Sequence, residues 1–207
     1  MKKYIGIILL ATIIIGLSAF AVKKKKETYD YVITVSTDFG DMKLILFDDT
    51  PIHKSNFIEL AEANKYDSTV FHRIINNFMI QGGGLKAQDM QGWDTLSFEE
   101  KTLPNEIMDK HKHIYGAVGA ARIDNPKKRS DKSQFYIVNN PAGSHFLDNN
   151  YTVFGQLIVG FDVLDKISKT PVNNSVPVKP VYMKVKVDKV KRSQIILFYG
   201  NIYSKYE

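Results

Sequence analysis

The stretch that decides the fold is residues 70–83, Val-Phe-His-Arg-Ile-Ile-Asn-Asn-Phe-Met-Ile-Gln-Gly-Gly. It has the pattern of two short strands joined by a turn. Arg73 and Gln81 stand eight residues apart, with Phe78 and Met79 between them. Two polar side chains beside an apolar surface indicate a groove that binds backbone amides next to a small apolar ring.

Helix and hairpin signals surround this stretch. Upstream, residues 31–37 and 41–47 alternate on either side of an Asp-Phe-Gly turn, which predicts a β-hairpin. Thr50 followed by Pro51 predicts a helix that begins with a hydroxyl N-cap, and its apolar pattern fades near Asn64. Downstream, apolar spacing predicts a second helix over about residues 161–169.

Short strands account for most of the remaining pattern. They are predicted at 70–74, 79–81, 117–121, 135–138, 153–159 and 181–190, with loops rich in Gly, Asn, Pro and Lys between them. Many short strands with two helices between them indicate a closed or nearly closed barrel. Residues 193–207 form an aromatic-rich tail that the pattern does not place.

The net charge of the chain is concentrated near residue 1. The formal charge is +6, and residues 1–26 hold six lysines and no acid. The rest of the chain is therefore neutral, which argues against a nucleic-acid partner. The chain has no cysteine, and His111 and His113 lie two residues apart without a third ligand nearby. Neither a metal site nor a cofactor is expected.

Residues 4–22 predict contact with a membrane. They are uncharged and largely apolar, and lysines flank them at 2–3 and 23–26. At a helical rise this run would span about 28 Å, close to the hydrocarbon thickness of a bilayer. The same run fits a secretory signal, because Ala19-Phe20-Ala21 matches a small-x-small cleavage pattern. A retained anchor helix and a cleaved signal therefore both stay open.

Several motifs follow one another in a recognisable order. They are Phe71-His72-Arg73-Ile74-Ile75, Phe78-Met79-Ile80-Gln81-Gly82-Gly83, Gly116-Ala117-Val118-Gly119-Ala120-Ala121, Ser133-Gln134-Phe135-Tyr136-Ile137, Phe146-Leu147-Asp148 and Val153-Phe154-Gly155. With these motifs the chain resembles the cyclophilin-type peptidyl-prolyl cis-trans isomerases, and bacterial members in particular, over about residues 31–190. The resemblance implies a mainly β fold: a closed eight-stranded antiparallel barrel capped by two α-helices, with an apolar N-terminal helix in addition.

The resemblance also implies roles for individual residues. Arg73 would donate to the prolyl nitrogen of the twisted peptide bond, and Gln81 would bind the substrate carbonyl or hold the guanidinium. No proton is transferred in this reaction, so His72 is interpreted as structural. The implied substrate-binding residues are Phe78, Met79, Ala121, Arg122, Gln134, Tyr136, Phe146, Leu147 and Tyr151. The main chain near Ala121 and Arg122 would pair with an extended peptide.

The motifs depart from the family pattern at several positions, among them Tyr136, where a second phenylalanine is usual. Phe146 stands where tryptophan is common, and Tyr151 aligns with the usual pocket histidine. Unlike tryptophan, Phe146 has no side-chain N–H that it could donate to cyclosporin. The sequence therefore predicts weak cyclosporin binding.

The sequence therefore divides into four parts. Residues 1–22 form a signal peptide or membrane anchor, 23–30 a charged linker, 31–192 an isomerase domain and 193–207 a tail of unknown role. The expected partners are proline-containing peptides and folding proteins, outside the cytoplasm, in a bacterial periplasm or anchored facing it. An alternative is a chaperone or scaffold that binds proline-containing segments with little turnover. The two functions share every site residue, so the sequence does not separate them.

Overall fold

The apolar alternation of the chain produces an eight-stranded antiparallel sheet in the computed structural model, which describes residues 27–84 and 95–205. The strands of this part are β1 (Tyr29–Thr37), β2 (Gly40–Leu46), β3 (Phe71–Ile75), β4 (Met79–Gly83), β5 (Thr102–Leu103), β6 (Ala117–Ala120), β7 (Ser130–Asp131), β8 (Gln134–Val138), β9 (Val153–Val159), β10 (Val172–Asn173), β11 (Val176–Pro177) and β12 (Lys184–Lys191). The large sheet has the order β12-β1-β2-β9-β6-β8-β4-β3. The pairs β5–β7 and β10–β11 form two small sheets.

The predicted closure of the barrel is wrong. The edge strands β3 and β12 form no ladder with each other, and the sheet is a curled half-barrel. One isolated bridge, Val70 with Tyr182, and a few main-chain hydrogen bonds join the segments that precede the two edge strands. Further along β3 the Ile74 N–H donates to Ser175 O (2.7 Å), so β3 meets the β10–β11 hairpin there and not β12. The last strand begins at Lys184, where it pairs with Ser36 of β1, three residues later than its apolar alternation predicts.

Two helices lie where the sequence predicts them. They are α1 (Pro51–Glu62) and α3 (Phe161–Ser168), and the sheet also carries α2 (Phe98–Lys101) and α4 (Arg192–Tyr199). Two 3-10 turns cover His145–Leu147 and Ile202–Lys205. Phe57 of α1 and Leu164 of α3 are buried in one core with Phe135 of the sheet.

The start of α1 is capped differently from the prediction. The Thr50 hydroxyl donates to the Phe47 carbonyl (3.2 Å) and makes no cap to the helix. Instead the Glu106 carboxylate accepts from the backbone N–H groups of Ile52 and His53, each at 2.9 Å. A negative charge at a helix N-terminus satisfies free N–H groups and interacts favourably with the helix dipole. The cap therefore comes from a loop more than fifty residues away in sequence, which no local pattern reveals.

The C-terminal segment packs on the outside of the sheet. Ile195 of α4 and Tyr203 are buried against Val32 of β1, and the Tyr203 hydroxyl donates to Asp30 (3.1 Å). The predicted N-terminal helix at residues 4–22 lies outside the described residues. Within the described part, no helix is long and apolar enough to cross a bilayer.

Candidate active site

The hairpin β3–β4 sets the two polar residues of the opening motif side by side. Arg73 pairs with Gln81 across the strands, so both side chains project from the same face of the sheet. They border a cleft of about 100 Å³. Its lining residues are Arg73, Phe78, Met79, Gln81, Ala121, Arg122, Tyr136, Leu147 and Tyr151. The structure thus brings together nine of the eleven predicted site residues.

The other two lie beside this cleft. Gln134 sits behind Gln81, which donates to it at 2.9 Å. Phe146 is 70% exposed and lies at the rim, where its ring centre is 5.2 Å from that of Phe78. Both phenylalanine rings therefore border the entrance to the cleft.

A row of amides orients Arg73, and we call Arg73, Gln81, Gln134 and Asp131 the guanidinium network. Arg73 Nη1 donates to Gln81 Oε1 (3.4 Å), Gln81 Nε2 donates to Gln134 Oε1 (2.9 Å), and Gln134 Nε2 reaches Asp131 Oδ2 (3.5 Å). A carboxylate only accepts hydrogen bonds, so Asp131 selects the orientation of both amides. As a result an amide oxygen, and not an NH₂ group, faces the guanidinium.

A second hydrogen-bonded set lies under the opposite side of the cleft, and we call Tyr136, His113 and Asp148 the tyrosine network. His113 Nε2 is 2.8 Å from the Tyr136 hydroxyl, and His113 Nδ1 is 2.8 Å from Asp148 Oδ1. The same carboxylate oxygen accepts the His113 backbone N–H (2.8 Å), and Asp148 Oδ2 lies 3.0 Å from His145 Nδ1. His113 is fully buried and Tyr136 nearly so.

Burial fixes the protonation of the tyrosine network. It lowers the pKa of His113, against the opposing effect of Asp148, so the imidazole is neutral at pH 7. Burial also raises the pKa of Tyr136 well above its usual range, which keeps the hydroxyl protonated. For Asp148 burial acts to raise the pKa, but hydrogen bonds from His113 and His145 outweigh it and lower the pKa. Nδ1–H therefore donates to Asp148, and the Tyr136 hydroxyl donates to Nε2.

Gly119 makes room for the tyrosine. It pairs with Tyr136 across β6 and β8, and a Cβ at this position would lie 2.2–2.5 Å from three atoms of the tyrosine side chain. Only a residue without a Cβ allows the ring to lie this close to β6. The position of Tyr136 therefore depends on its neighbour as well as on the buried hydrogen bonds.

On the far wall of the cleft, the polar groups of Ala121 and Arg122 form hydrogen bonds within the protein. The Arg122 guanidinium lies 4.6 Å above the Tyr151 ring and bonds to Asn150 and Asp124. The Ala121 N–H donates to Gln134 O, and the Ala121 carbonyl accepts from Asp131 N. Both main-chain groups of Ala121 are therefore already bonded within the protein.

A family model for the cyclophilin type peptidyl-prolyl cis-trans isomerases matches residues 32–188. The chain belongs to the cyclophilin family. A peptidyl-prolyl cis-trans isomerase of Acinetobacter baylyi is 35% identical over 164 residues, which cover 72% of this chain and 81% of that protein. Peptidyl-prolyl cis-trans isomerase A of Dickeya dadantii is 32% identical over 182 residues, covering 83% and 90%.

Solved cyclophilin structures resemble this chain as well. A cyclophilin type isomerase of Cryptosporidium parvum superposes with a TM-score of 0.64 at 28% identity, covering 79% of this chain and 98% of its own. The same protein crystallised in the presence of the dipeptide Ala-Pro gives a TM-score of 0.63 at 28% identity, with coverages of 77% and 98%.

The sequence missed the buried partners of the cleft residues in this cyclophilin. His113 appears in the sequence as one of two histidines in a charged loop, yet His111 points elsewhere, stacking on Phe47 and contacting Asp49. Among the described residues, no group of three or more His, Asp or Glu side chains could hold a metal ion. The only signal for the tyrosine network was a tyrosine where a second phenylalanine is usual, and it gave no indication of the partner.

Proposed function

We propose that this cyclophilin accelerates the cis-trans isomerisation of X–Pro bonds in folding proteins, with Arg73 as the catalytic residue. The observation that carries the proposal is the cross-strand pair of Arg73 and Gln81 at the edge of a cleft lined by Phe78, Met79 and Leu147. A permanent cation stands beside an apolar recess of the size of a small ring. This arrangement suits a prolyl residue, whose ring is apolar and whose amide is the reacting group.

The chemistry requires a fixed donor and no proton transfer. Resonance in the peptide bond creates a rotation barrier of about 18–20 kcal/mol. In the twisted transition state this resonance is lost, and the prolyl nitrogen gains an available lone pair. A guanidinium N–H aimed at that nitrogen binds the transition state better than the planar ground state, which lowers the barrier. Arg73 stays protonated at any physiological pH.

Gln81 acts in this scheme by holding the donor in place. Its amide oxygen faces Arg73 at 3.4 Å, and its NH₂ is committed to Gln134. The guanidinium carries five N–H donors in a fixed fork, so one bond to Gln81 leaves others for the substrate. Arg73 is exposed, which lets it move the short distance that a bound peptide requires.

We place the domain outside the cytoplasm. Support comes from the sequence of residues 1–26, an apolar run between lysines that suits either a membrane tether or an export signal. The tether hypothesis is tested by flotation of the full chain with lipid vesicles. A full chain that stays at the bottom of the gradient would contradict the tether. N-terminal sequencing must first show that the segment was not removed during expression.

Cyclosporin is expected to bind weakly. Phe146 lies at the rim with no hydrogen to donate, and its ring contacts Phe78. Restoring one donor with Phe146→Trp should tighten binding by about tenfold, the value of one hydrogen bond of about 1.4 kcal/mol. Titration calorimetry of both proteins makes the comparison, and nanomolar binding by the unmodified chain would contradict the prediction.

The deciding experiment measures isomerisation of an X–Pro peptide by exchange NMR. The Arg73→Ala variant should lose about 100-fold in kcat/KM, the usual cost of removing one transition-state donor. Arg192→Ala is the matched control, because Arg192 contacts Asp30 and Asp48 away from the cleft, and its activity should stay within about twofold. Peptide binding without acceleration would favour the alternative of a proline-segment chaperone. Equal activity of Arg73→Ala and wild type would show that the role given to Arg73 is wrong.

A further inference from the structure

Helix α4 is apolar on nearly every side although it lies on the surface. After Arg192-Ser193-Gln194 it reads Ile195-Ile196-Leu197-Phe198-Tyr199. Ile195 faces inward and is fully buried, whereas Leu197 is 77% exposed and Phe198 70% exposed. A surface helix of a soluble domain normally carries polar residues on its outer side. We call Ile196, Leu197 and Phe198 the apolar face of α4.

The position of α4 relates this face to the beginning of the described chain. The Arg192 backbone N–H donates to the Thr28 carbonyl (2.9 Å), and Lys191 forms an ion pair with Glu27 (2.9 Å). Helix α4 therefore begins beside residue 27. The five residues from 22 to 27 span at most about 18 Å when fully extended. The end of the apolar run 4–22 is therefore tied to within about 18 Å of the start of α4 by chain length alone.

Basic residues precede α4 in the sequence. Residues 184–192 contain five basic side chains and one acid, and residues 23–26 are four lysines. Of the basic residues nearest to α4, Lys191 is paired with Glu27, and Arg192 with Asp30 and Asp48. Lys189 lies within 6 Å of the ring centres of Tyr29 and Tyr31. Exposed apolar residues next to lysines and tyrosines are the composition of helices that lie at the headgroup level of a bilayer.

We propose that the apolar face of α4 inserts into the interfacial layer of an anionic lipid bilayer. The proposal rests on the membrane location proposed above. If residues 4–22 stay in the bilayer, α4 is held within reach of the lipid surface. If they are cleaved, the four lysines that remain attract the same anionic headgroups, each by a modest electrostatic attraction. In both cases the apolar face of α4 adds hydrophobic contact and fixes how the domain is oriented on the membrane.

A second copy of the chain fits this face less well. Stable protein interfaces bury at least about 1,200 Å² in total, far more than three side chains of a two-turn helix supply. The four lysines at residues 23–26 of each copy would also bring like charges toward a shared two-fold axis. A bilayer has neither difficulty, because it covers any shape and carries the opposite charge.

The absence of cysteine makes a direct test possible. The full chain, as Leu197→Cys, is labelled with a polarity-sensitive fluorophore and reconstituted into vesicles of phosphatidylcholine and phosphatidylglycerol. The matched control is Ile123→Cys, which replaces a residue of similar size, 71% exposed, in the loop between β6 and β7. Quenching by a nitroxide lipid and by aqueous iodide is measured for both labels. The labelled Leu197→Cys protein is also assayed with an X–Pro peptide. Turnover within about twofold of wild type verifies that its fold is intact.

The expected result is a ratio of lipid quenching to iodide quenching at least about fivefold higher at residue 197 than at residue 123. Equal ratios on vesicles that carry the protein would overturn insertion of α4 while leaving the tether in place. Protection of residue 197 from both quenchers would overturn it too, because protein would then cover the face. Failure of the unlabelled chain to float with vesicles would instead reject the membrane location itself, and with it this proposal.

Discussion

The two networks that flank the cleft differ in burial and in hydrogen-bond length. The guanidinium network ends at an exposed arginine and contains separations of 3.4 and 3.5 Å, whereas each separation in the tyrosine network is 2.8 Å. Long bonds near solvent can rearrange when a substrate enters, but short buried bonds cannot break without a large cost. The molecule thus places the adjustable guanidinium that we propose as catalytic opposite a rigid wall of the cleft. Substitutions in the tyrosine network should mainly lower stability, and substitutions in the guanidinium network should mainly lower activity. Measuring both quantities for each variant tests this difference.

The largest effect is expected for His113→Ala. The change removes the shared partner and leaves the buried Tyr136 hydroxyl and the partly buried Asp148 carboxylate without it, which should lower the free energy of unfolding by about 3 kcal/mol. Urea unfolding followed by circular dichroism gives the value. His145→Ala is the control, because His145 contacts the same carboxylate from an exposed position and should cost less than about 0.5 kcal/mol. Equal losses would show that the buried network is not rigid.

Tyr136→Phe should have a smaller effect on stability. It removes one hydroxyl and leaves His113 Nε2 unpaired in the core, at a cost of about 1–2 kcal/mol. Tyr151→Phe is a suitable comparison, because Tyr151 lines the same cleft but is only half-buried. Its unfolding midpoint should change little. A Tyr136→Phe protein as stable as wild type would contradict the hydrogen bond to His113.

Gln81→Ala tests the other side of the cleft. The loss of its amide frees the guanidinium to leave its orientation, so kcat/KM should fall about tenfold while stability changes by less than about 0.5 kcal/mol. Asp131→Asn is a graded second variant. An amide at residue 131 can face Gln134 either way, so a fall of about two- to threefold is expected. If the loss in free energy of unfolding exceeded the loss in kcat/KM expressed as free energy, the guanidinium network would be the structural one, against our assignment.

The smallest effect concerns pH. Burial lowers the pKa of His53, His72 and His113 in the folded protein. Below the unfolded value of about 6.5 the unfolded chain then binds more protons, so stability is complete above this pH and is lost as the pH falls. Between pH 7.5 and 5.5 the free energy of unfolding should fall by about 1 kcal/mol or more. Urea titrations at both values check this, and a flat profile would contradict neutral buried histidines.

Local patterns predicted much of the fold and of the cleft. Period-two alternation located the strands of the large sheet, and Pro51 marked the start of α1. The eight-residue spacing of Arg73 and Gln81 across a turn was enough to expect them near each other, because antiparallel register follows from hairpin geometry. The roles of the individual site residues remain predictions for the experiments above.

Other features depend on positions that no local pattern specifies. Glu106 caps α1 from a distant loop, and Thr50 does not. His113 meets Asp148 thirty-five residues later and Tyr136 twenty-three residues later. Barrel closure was wrong because β3 meets the β10–β11 hairpin, through Ile74 and Ser175, where closure would need it to pair with β12. In each case the deciding contact joins segments whose proximity exists only in the folded chain.

The sequence by itself determined the strand pattern, the pairing of Arg73 with Gln81, and the apolar recess beside them. These follow from side-chain periodicity and turn spacing, which act over a few residues. The tertiary structure alone decided that a buried histidine supports Tyr136, that the half-barrel stays open, and that α4 lies beside residue 27 with its apolar face outward. Such features depend on long-range packing, where burial and hydrogen-bond satisfaction are properties of the whole fold.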